Sequence, residues 1–289
     1  VHDCWLYTGH CYYYSYAGCN KWQTGCGHCP QKKEFPASWL IDRSHQNYED
    51  KKQAFTSLPL DQLTIVPVSE WIREEMQHSF FRNNQFHVIH NGINTNIFNI
   101  YNPEQVKQKY GLNGKHILLG VASIWSREKG FDDCIQMTDL LHPDEMLVLV
   151  GVRPEQQKKL KKNMLGIPRT ENIHQLAELY AAADAFINPT WQDNYPTVNL
   201  EAIACGTPVV TYRTGGSIEA ITDQTGFIVP QGNVKEMLEA ARLISQRGKA
   251  YYQQPCRTYA LENFRKEDRY QDYLDLYDKL TERNPSANI

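Results

Sequence analysis

Short apolar runs recur along the chain from residue 116 onward, separated by stretches of mixed polarity. We predict strands at 116–122, 146–151, 185–187, 209–212 and 226–230. These runs lack the alternation of a half-exposed strand, as is typical of a parallel sheet that helices cover on both faces. Amphipathic stretches predict closing helices at roughly 234–246, 249–262 and 267–282. The pattern therefore predicts an α/β fold.

The first ninety residues show a weaker version of this pattern. Apolar runs predict strands at 63–68 and 86–90, and residues 51–55 are expected to be helical. A second helix is predicted to begin after Ser69, because serine is a favoured N-cap residue. This part of the chain is therefore also expected to be α/β.

Two loops follow neighbouring predicted strands, and both are suited to ligand binding. The strand at 185–187 leads into a loop flanked by Asp193 and Glu201. The strand at 209–212 leads into Gly215 and Gly216, which we expect to open a helix whose N-terminus can bind an anion. Open α/β sheets bind their ligands at the carboxyl ends of the strands. We therefore expect a ligand site there.

The sequence between Asp193 and Gly216 resembles the donor-site signature of retaining GT-B glycosyltransferases, the bacterial group 1 family (family four). The resemblance consists of two acidic residues separated by seven positions, the stretch Ala-Ile-Ala-Cys-Gly-Thr-Pro-Val-Val at 202–210, and the paired glycines. Residues 188–202 are similar in particular to the branch that builds capsular and other surface polysaccharides. The resemblance implies an α/β GT-B fold with two Rossmann-like domains facing a cleft.

The resemblance also implies a domain organisation. Residues 1–92 correspond to the acceptor-side domain, which we expect to be incomplete because the chain starts at Val1 without its first strands. Residues 93–265 correspond to the nucleotide-sugar donor domain, and the motif beginning Asn91-Gly92 marks the hinge. Residues 266–289 are expected to form a helix that packs back toward the first domain.

Donor-binding residues follow from the matched motifs. By resemblance, Glu201 binds the ribose hydroxyls, and Asp193, where the family commonly has Glu, lies beside the donor sugar. Lys129, in a Lys-Gly pair, corresponds to the lysine that binds the diphosphate. The expected donor-binding residues are Arg127, Lys129, Arg169, Asp193, Asn194, Tyr195, Glu201, Gly215 and Gly216.

One donor-binding residue, Arg127, substitutes for a family residue. Arg169 and a further candidate, His2, each have a competing interpretation. Arg127 takes the place of an arginine that the family carries several residues earlier. Arg169 is expected over the nucleotide base or near a phosphate, and an exposed loop arginine is an equal alternative. His2 corresponds to a histidine that contacts the donor sugar near the reacting carbon, and an ordinary surface histidine is the alternative. The expected catalytic residues are His2, Lys129 and Asp193.

The implied reaction is transfer of a sugar from a UDP- or GDP-sugar to a glycan or lipid-linked acceptor, with retention of configuration. No Asp-x-Asp sequence occurs, so no metal ion is required at the diphosphate, and positive charge from Lys129 and Arg127 would replace it. No cofactor beyond the donor is expected. Two alternatives stay open: a nucleotide-sugar epimerase of the same fold, and a non-catalytic nucleotide-sugar-binding or scaffold fragment.

Composition limits the partners and the compartment. The 289 residues carry a net charge of −3, and 41% are hydrophobic. This near-neutral balance gives no reason to expect nucleic acid as a partner. No apolar run approaches the ~20 residues that span a bilayer, so we expect a cytoplasmic protein with at most a peripheral contact with the inner membrane, at its cytoplasmic face.

Cysteines are concentrated at the start of the chain. Five of the eight lie in the first 29 residues, and their spacing includes Cys26-x2-Cys29. Cys11, Cys19, Cys26 and Cys29 could supply four ligands to a structural zinc ion. Free buried thiols and disulfides are the alternatives, and a cytoplasmic location disfavours disulfides.

Overall fold

The computed structural model describes residues 1–283, and the chain forms two compact units. The N-terminal unit comprises residues 1–90 and 191–195, and the C-terminal unit comprises 91–190 and the residues from 196 onward. The end of the predicted C-terminal segment, 284–289, lies outside the described residues. Within residues 1–283, no helix has both the length and the apolar character needed to cross a membrane.

The N-terminal unit has little regular structure. Its elements are α1 (Ser44–Thr56), β1 (Thr64–Ile65), α2 (Glu70–Met76) and β2 (Gln85–Phe86). The predicted strands at 63–68 and 86–90 are therefore two residues long, because β1 and β2 pair in parallel over only two positions. Ser69 is the N-cap of α2, as predicted, and its side chain accepts the Ile72 N–H.

Aromatic residues and cysteines form the core of the N-terminal unit. Tyr14 stacks on Trp22 with ring centroids 4.6 Å apart, and Tyr7 packs edge-on against Trp22 at 5.1 Å. All three rings are buried. These contacts hold the cysteine-rich residues 4–31 in a compact, largely non-helical conformation.

The C-terminal unit is built on a six-stranded parallel sheet. Its strands are β3 (His116–Val121), β4 (Glu145–Val150), β5 (Met164–Ile167), β6 (Ala185–Asn188), β7 (Val209–Tyr212) and β8 (Gly226–Val229). Their spatial order is β5-β4-β3-β6-β7-β8. This is the strand order of a Rossmann fold, in which the chain leaves the central pair of strands toward opposite edges.

Helices flank these strands along the chain, because the intervening segments carry apolar faces that the sheet can bury. They are α3 (Glu104–Lys109), α4 (Phe131–Met137), α5 (Pro154–Gln157), α6 (Ile173–Ala182), α7 (Thr197–Ala204), α8 (Val234–Arg247), α9 (Lys249–Asn263) and α10 (Lys266–Arg283). The five strands and three closing helices predicted for this unit are confirmed to within one or two residues.

One predicted element is wrong. Gly215 and Gly216 do not open an α-helix but a single 3-10 turn, Gly215–Ile218. The chain turns again at 222–225 and enters β8 at Gly226, so only a few residues are available for a helix. The anion site that we expected at a helix N-terminus therefore reduces to the backbone of one turn.

Candidate functional site

The central pair of strands, β3 and β6, defines where a ligand can bind in the C-terminal unit. The chain leaves β3 toward β4 at one edge and leaves β6 toward β7 at the other. In such a sheet a crevice opens outside the carboxyl ends of the two strands. The segments at this position are the loop at residues 122–130, here the β3 loop, and the residues that follow Asn188.

A buried tryptophan fixes the β3 loop. Trp125 is 2% exposed, and its Nε1 donates to the carbonyl of Val150 at 2.8 Å. Gln156 Nε2 donates to the carbonyl of Trp125 at 2.9 Å. The first contact ties the loop to the carboxyl end of β4, and the second ties it to α5. The loop is therefore held in one conformation by buried hydrogen bonds.

Two cations lie in the β3 loop, in different environments. Lys129 is partly buried, and its backbone N–H donates to Ser126 Oγ at 3.3 Å. Arg127 is largely exposed, and its Nε lies 3.7 Å from Asp132 Oδ2. The structure thus places Lys129 in the fixed part of the loop and Arg127 in solvent beside an acidic residue.

The β3 loop packs closely against the end of β6. Gly130 has a left-handed backbone (φ 76°), and a Cβ there would lie 2.1 Å from the carbonyl oxygen of Pro189. Thr190 Oγ1 donates to the carbonyl of Glu128 at 3.3 Å. Only glycine permits this approach. It fixes Lys129 relative to the carboxyl end of β6.

Glu201 lies on α7, and protein hydrogen bonds hold its carboxylate. Its Oε2 accepts from the hydroxyl of the fully buried Tyr180 at 3.0 Å. Burial raises the pKa of Glu201, and hydrogen bonds from Tyr180 and Thr197 oppose the shift. The side chain is partly exposed. It therefore offers an oriented acceptor to a ligand.

A buried polar network joins the ends of β6 and β7 to the Gly215–Ile218 turn. Asn199 on α7 is 0% exposed; its Oδ1 accepts from Asn188 Nδ2 at 2.8 Å, and its Nδ2 donates to the carbonyl of Ser217 at 3.1 Å. Thr211 Oγ1 donates to the carbonyl of Asn188 at 3.1 Å and lies 2.8 Å from Ser217 Oγ. This network sets the position of the glycine turn.

Sequence reasoning missed the network. Asn199 interrupts the apolar positions of α7, between Val198 and Leu200, and this interruption was the available signal. A buried asparagine in such a position requires partners, because an unpaired amide is costly.

Arg169 lies after the edge strand β5 and is exposed. An open groove of about 480 Å³ lies at the carboxyl ends of β4 and β5. Its lining residues are Val152, Pro154, Gln157, Lys158 and Pro168. The neighbouring segment 166–170, which the sequence associates with the nucleotide base, therefore ends beside a groove.

The remaining predicted residues lie in the N-terminal unit. Asn194 is 2% exposed; its Nδ2 donates to the carbonyl of His2 at 3.0 Å, and its Oδ1 accepts from Ser69 Oγ. Tyr195 is 5% exposed and stacks on His90 at 4.5 Å. Their side chains are engaged within the protein, so they hold the 191–195 segment in place.

Asp193 and His2 are more accessible. Asp193 is partly exposed, and its Oδ1 accepts the backbone N–H of Asn194 at 3.0 Å. The His2 side chain is exposed, and its carbonyl is the group that Asn194 holds. Partial burial nevertheless lowers the pKa of the His2 imidazole. The neutral form is therefore favoured at neutral pH.

The structure thus places the predicted residues in two sets. In the C-terminal unit, Lys129 lies in the β3 loop, Glu201 on the helix that follows β6, and Gly215 and Gly216 in the turn that follows β7, with Arg127 and Arg169 exposed in the loops after β3 and β5. His2, Asp193, Asn194 and Tyr195 lie together in the N-terminal unit.

The four cysteines named above as zinc ligands line one small cavity in the N-terminal unit. All have free thiols. Among the described residues, no three or more His, Cys, Asp or Glu side chains are arranged as a group that could hold a metal ion.

Residues 115–246 match the family model described as "Glycosyl transferases group 1". This match spans all six strands, β3 to β8, and includes Lys129, Glu201 and both glycines. Over these residues the chain is similar to group 1 glycosyltransferases.

Curated relatives agree with this family. The chain is 32% identical to the lipopolysaccharide glucosyltransferase WaaG of Escherichia coli over 187 residues, which are 60% of this chain and 47% of WaaG. It is 22% identical to the putative colanic acid biosynthesis glycosyl transferase WcaC of E. coli over 244 residues, 84% of this chain and 58% of WcaC. The chain spans about half the length of the curated relatives it matches.

Solved structures confirm the predicted α/β, GT-B fold class. Anabaena Alr3699/HepE in complex with UDP-glucose aligns with a TM-score of 0.66 at 18% identity, covering 81% of this chain and 68% of HepE. At this identity the likeness shows the fold alone.

Proposed function

We propose that the protein transfers a sugar from a nucleotide-diphosphate sugar to a glycan or lipid-linked acceptor, with retention of configuration. The observation that carries the proposal is the placement of Lys129 and Glu201 in the region that is similar to group 1 glycosyltransferases. The loop that carries Lys129 follows β3 and is fixed by the buried bond from Trp125 to Val150, and Glu201, on the helix that follows β6, is oriented by the Tyr180 hydroxyl. The cation suits binding of a diphosphate, and the carboxylate acceptor suits binding of ribose hydroxyls.

Lys129 is the cation that we expect to stabilise the leaving group. When the bond between the sugar and the diphosphate breaks, negative charge develops on the diphosphate oxygen. A fixed positive charge stabilises this state without reorganising during the reaction. We assign this role to Lys129, with Arg127 and the backbone N–H groups of Gly215 and Gly216 as further contributors. On this assignment the diphosphate needs no metal ion.

The Glu201 carboxylate is the group that we expect to bind the nucleotide. Ionised Glu201 accepts hydrogen bonds from ribose hydroxyls, and the Tyr180 hydroxyl fixes its orientation beforehand. Such charge-assisted bonds are about twice as strong as neutral ones. We assign the base to the segment 166–170 beside the groove, with Arg169 at its edge.

We assign Asp193 and His2 to the donor sugar, as the sequence motifs suggest. The neutral imidazole of His2 can donate a hydrogen bond to, or accept one from, a sugar hydroxyl near the reacting carbon. Asn194 and Tyr195 act indirectly, by holding these residues. Alr3699/HepE was solved in complex with UDP-glucose, so UDP is the nucleotide to test first here, with GDP as the alternative.

The relatives WaaG and WcaC are named for lipopolysaccharide and colanic acid synthesis. They support a role in bacterial surface polysaccharide synthesis, on the cytoplasmic side of the membrane, where an inner-membrane contact would bring the enzyme to lipid-linked acceptors.

A thermal-shift panel tests the proposal. UDP, GDP, ADP and their common sugar conjugates are added to the protein with and without chelator. We expect stabilisation by one nucleotide class, unchanged by chelator. Stabilisation only when a divalent cation is present would overturn metal independence, and no stabilisation by any of them would overturn the donor assignment. For an active donor and acceptor pair, NMR of the anomeric proton distinguishes retention from inversion.

A further inference from the structure

A loop of the N-terminal unit, residues 32–43, exposes a run of large apolar side chains. Its tip, residues 35–41, carries four of them within a few positions. The exposed fractions are 74% for Phe35, 74% for Trp39, 92% for Leu40 and 67% for Ile41. Folding usually removes such side chains from water, and apolar side chains clustered on the surface mark an interaction site. The tip is therefore a candidate interaction surface.

Hydrogen bonds anchor the 32–43 loop at its base. The Ser38 N–H donates to the carbonyl of Lys32 at 2.8 Å, and Ser38 Oγ donates to the carbonyl of Ile41 at 2.5 Å. Asp42 joins the loop to the rest of the unit: its Oδ2 accepts the Cys29 N–H at 2.8 Å, and its Oδ1 accepts the first backbone N–H of α1 at 2.9 Å. The apolar tip therefore projects from a fixed base.

Several backbone groups of the loop already have partners within it. The Glu34 N–H donates to the carbonyl of Gln31 at 2.9 Å, and Pro36 has no N–H group. The Ser38 N–H and the Ile41 carbonyl are paired as described above. A backbone group that leaves water without a partner is costly. The paired groups therefore lower the cost of moving the tip into an apolar environment.

The shape and size of the tip argue against a small ligand or a protein partner. Small-molecule sites are concave, whereas Leu40, at 92% exposure, stands out from the surface. A stable protein–protein interface takes about 20–30 residues from each partner, and the tip is much shorter. An apolar phase that can receive a few protruding side chains without a matching pocket suits the tip better. A lipid bilayer has this property.

Basic residues flank the apolar tip on both sides. Lys33 and Arg43 are exposed, and Lys32 is half-buried. Against these the loop has two acidic residues, Glu34 and Asp42, so its net charge is +1 in a chain whose net charge is −3. Basic residues at a membrane surface are attracted to anionic lipid headgroups. The charge of the loop therefore complements an anionic lipid surface.

We propose that the 32–43 loop docks the protein on a membrane surface that contains anionic lipids. The side chains of Trp39, Leu40 and Ile41 enter the interfacial region, where tryptophan is enriched at the level of the headgroups. Lys33 and Arg43 meet the headgroups beside them. A short apolar insertion and basic residues are the two signals that together give stable peripheral binding.

The loop belongs to the same compact unit as the 191–195 segment. Gln31 Nε2, just before the loop, donates to the carbonyl of Tyr13 at 2.8 Å, and the Tyr16 N–H donates to Gln192 Oε1 at 3.2 Å. The inference identifies the residues behind the membrane contact in the proposed function, and its role in reaching a lipid-linked acceptor rests on that function. Vesicle binding itself requires neither donor nor acceptor.

Co-sedimentation of the protein with lipid vesicles tests the proposal. We expect binding to vesicles of phosphatidylcholine with phosphatidylglycerol. The variant Trp39→Ser/Leu40→Ser should lower the partition coefficient by more than about tenfold, because the apolar insertion is lost. The control Tyr270→Ser/Leu274→Ser removes two exposed apolar side chains from α10 and should bind like wild type. An absence of binding by the wild type, or undiminished binding by the Trp39/Leu40 variant, overturns the proposal.

The contribution of charge is tested with a second variant and a second lipid composition. Lys33→Gln/Arg43→Gln should bind the anionic vesicles more weakly than wild type, and wild type should bind vesicles of phosphatidylcholine alone more weakly than the anionic ones. Equal binding to both compositions would contradict the assignment to anionic lipids.

Tryptophan fluorescence reports insertion without depending on a destabilising substitution. Brominated acyl chains should quench the wild-type protein, and Trp39→Phe, which keeps an apolar side chain, should bind the vesicles and lose this quenching. Self-association that depends on the 32–43 loop without vesicles would overturn the proposal in favour of a protein contact. Titration with UDP-glucose is scored separately: vesicle binding without nucleotide-sugar binding refutes the donor site and leaves the docking loop standing.

Discussion

The side-chain Nδ2 of Asn194 donates a hydrogen bond of 3.0 Å to the main-chain carbonyl of His2. The other end of the same amide accepts from Ser69 Oγ, the N-cap of α2. One buried amide thus joins the start of the chain, a helix cap and the segment that carries Asp193. This single side chain therefore links three parts of the chain that are far apart in sequence.

Replacing Asn194 tests this link. Asn194→Ala removes both bonds, and Asn194→Asp keeps the acceptor for Ser69 but loses the donor to His2. We expect both variants to lower kcat by up to about 100-fold, the loss typical of a misplaced group, with little change in KM. Sugar-nucleotide turnover kinetics measure the effect. The exposed Asn83→Ala is the control, and a normal kcat in Asn194→Asp would show that the bond to His2 is not needed.

The close approach between Gly130 and Pro189 predicts a backbone effect. Gly130 and Gly111 both have left-handed φ values, 76° and 65°, but only at Gly130 does an added Cβ meet neighbouring backbone. We expect Gly111→Ala to cost about 1–2 kcal/mol from conformation alone. Gly130→Ala should cost clearly more, because the β3 loop must also move away from β6. Thermal melts of both variants give the comparison, and equal losses would refute the packing argument.

The buried network predicts a stability loss at Asn199. Asn199→Ala leaves the Asn188 amide and the Ser217 carbonyl without their partner. Each unpaired buried group costs about 1–3 kcal/mol, so we expect a loss of about 2–6 kcal/mol in the free energy of unfolding. Chemical denaturation followed by a probe in the C-terminal unit measures it. Gln108→Ala on the exposed side of α3 should change stability by less than about 0.5 kcal/mol.

The sequence predicted the C-terminal sheet well because its strands are buried on both faces. Continuous apolar runs such as 209–212 admit few alternatives, and here the predicted bounds equal those of β7. The N-terminal strands were overestimated, because apolar residues at 63–68 pack in an aromatic core with little strand pairing. The local hydrophobic pattern of a sequence indicates which residues are buried. It does not indicate which strand is available for pairing.

The candidate site was predictable only where a motif encodes it. Glu201 and Lys129 lie in such motifs, whereas the roles of Asn194 and Asn199 depend on contacts with residues distant in sequence. The glycine pair shows the opposite error: its motif was recognised, but the helix inferred from it is a single turn, since the downstream turn at 222–225 limits its length.

Glu201 predicts a pH dependence of nucleotide binding. Burial raises the pKa of Glu201. As the pH falls, the ionised form that accepts hydrogen bonds from ribose is therefore lost at a higher pH than for an ordinary glutamate. UDP affinity should therefore be full well above the raised pKa and decline as the pH falls through it. Glu201→Gln should bind weakly with a flat profile over this range, and Glu201→Ala should lose more than about tenfold in affinity.

The unliganded protein should show the opposite trend in stability. Since the folded state binds the proton more tightly than the unfolded state, the contribution of Glu201 is fully present below the unfolded pKa and is lost as the pH rises through the folded pKa. The difference in unfolding free energy between wild type and Glu201→Gln, measured against pH, isolates this contribution. A difference that does not change with pH would contradict the raised pKa.

The most direct test of the account is calorimetric titration of the protein with UDP-glucose, using Lys129→Ala and Lys159→Ala as a matched pair. Lys159 is exposed and lies outside the site. We predict saturable binding at one site, weakened by about tenfold to a hundredfold in Lys129→Ala, since a charge-assisted hydrogen bond contributes about 1.5–3 kcal/mol. Lys159→Ala should bind like wild type. Equal affinity in all three proteins would contradict the assignment of Lys129 to the diphosphate, and no binding of UDP-glucose or any other nucleotide sugar would contradict the donor site itself.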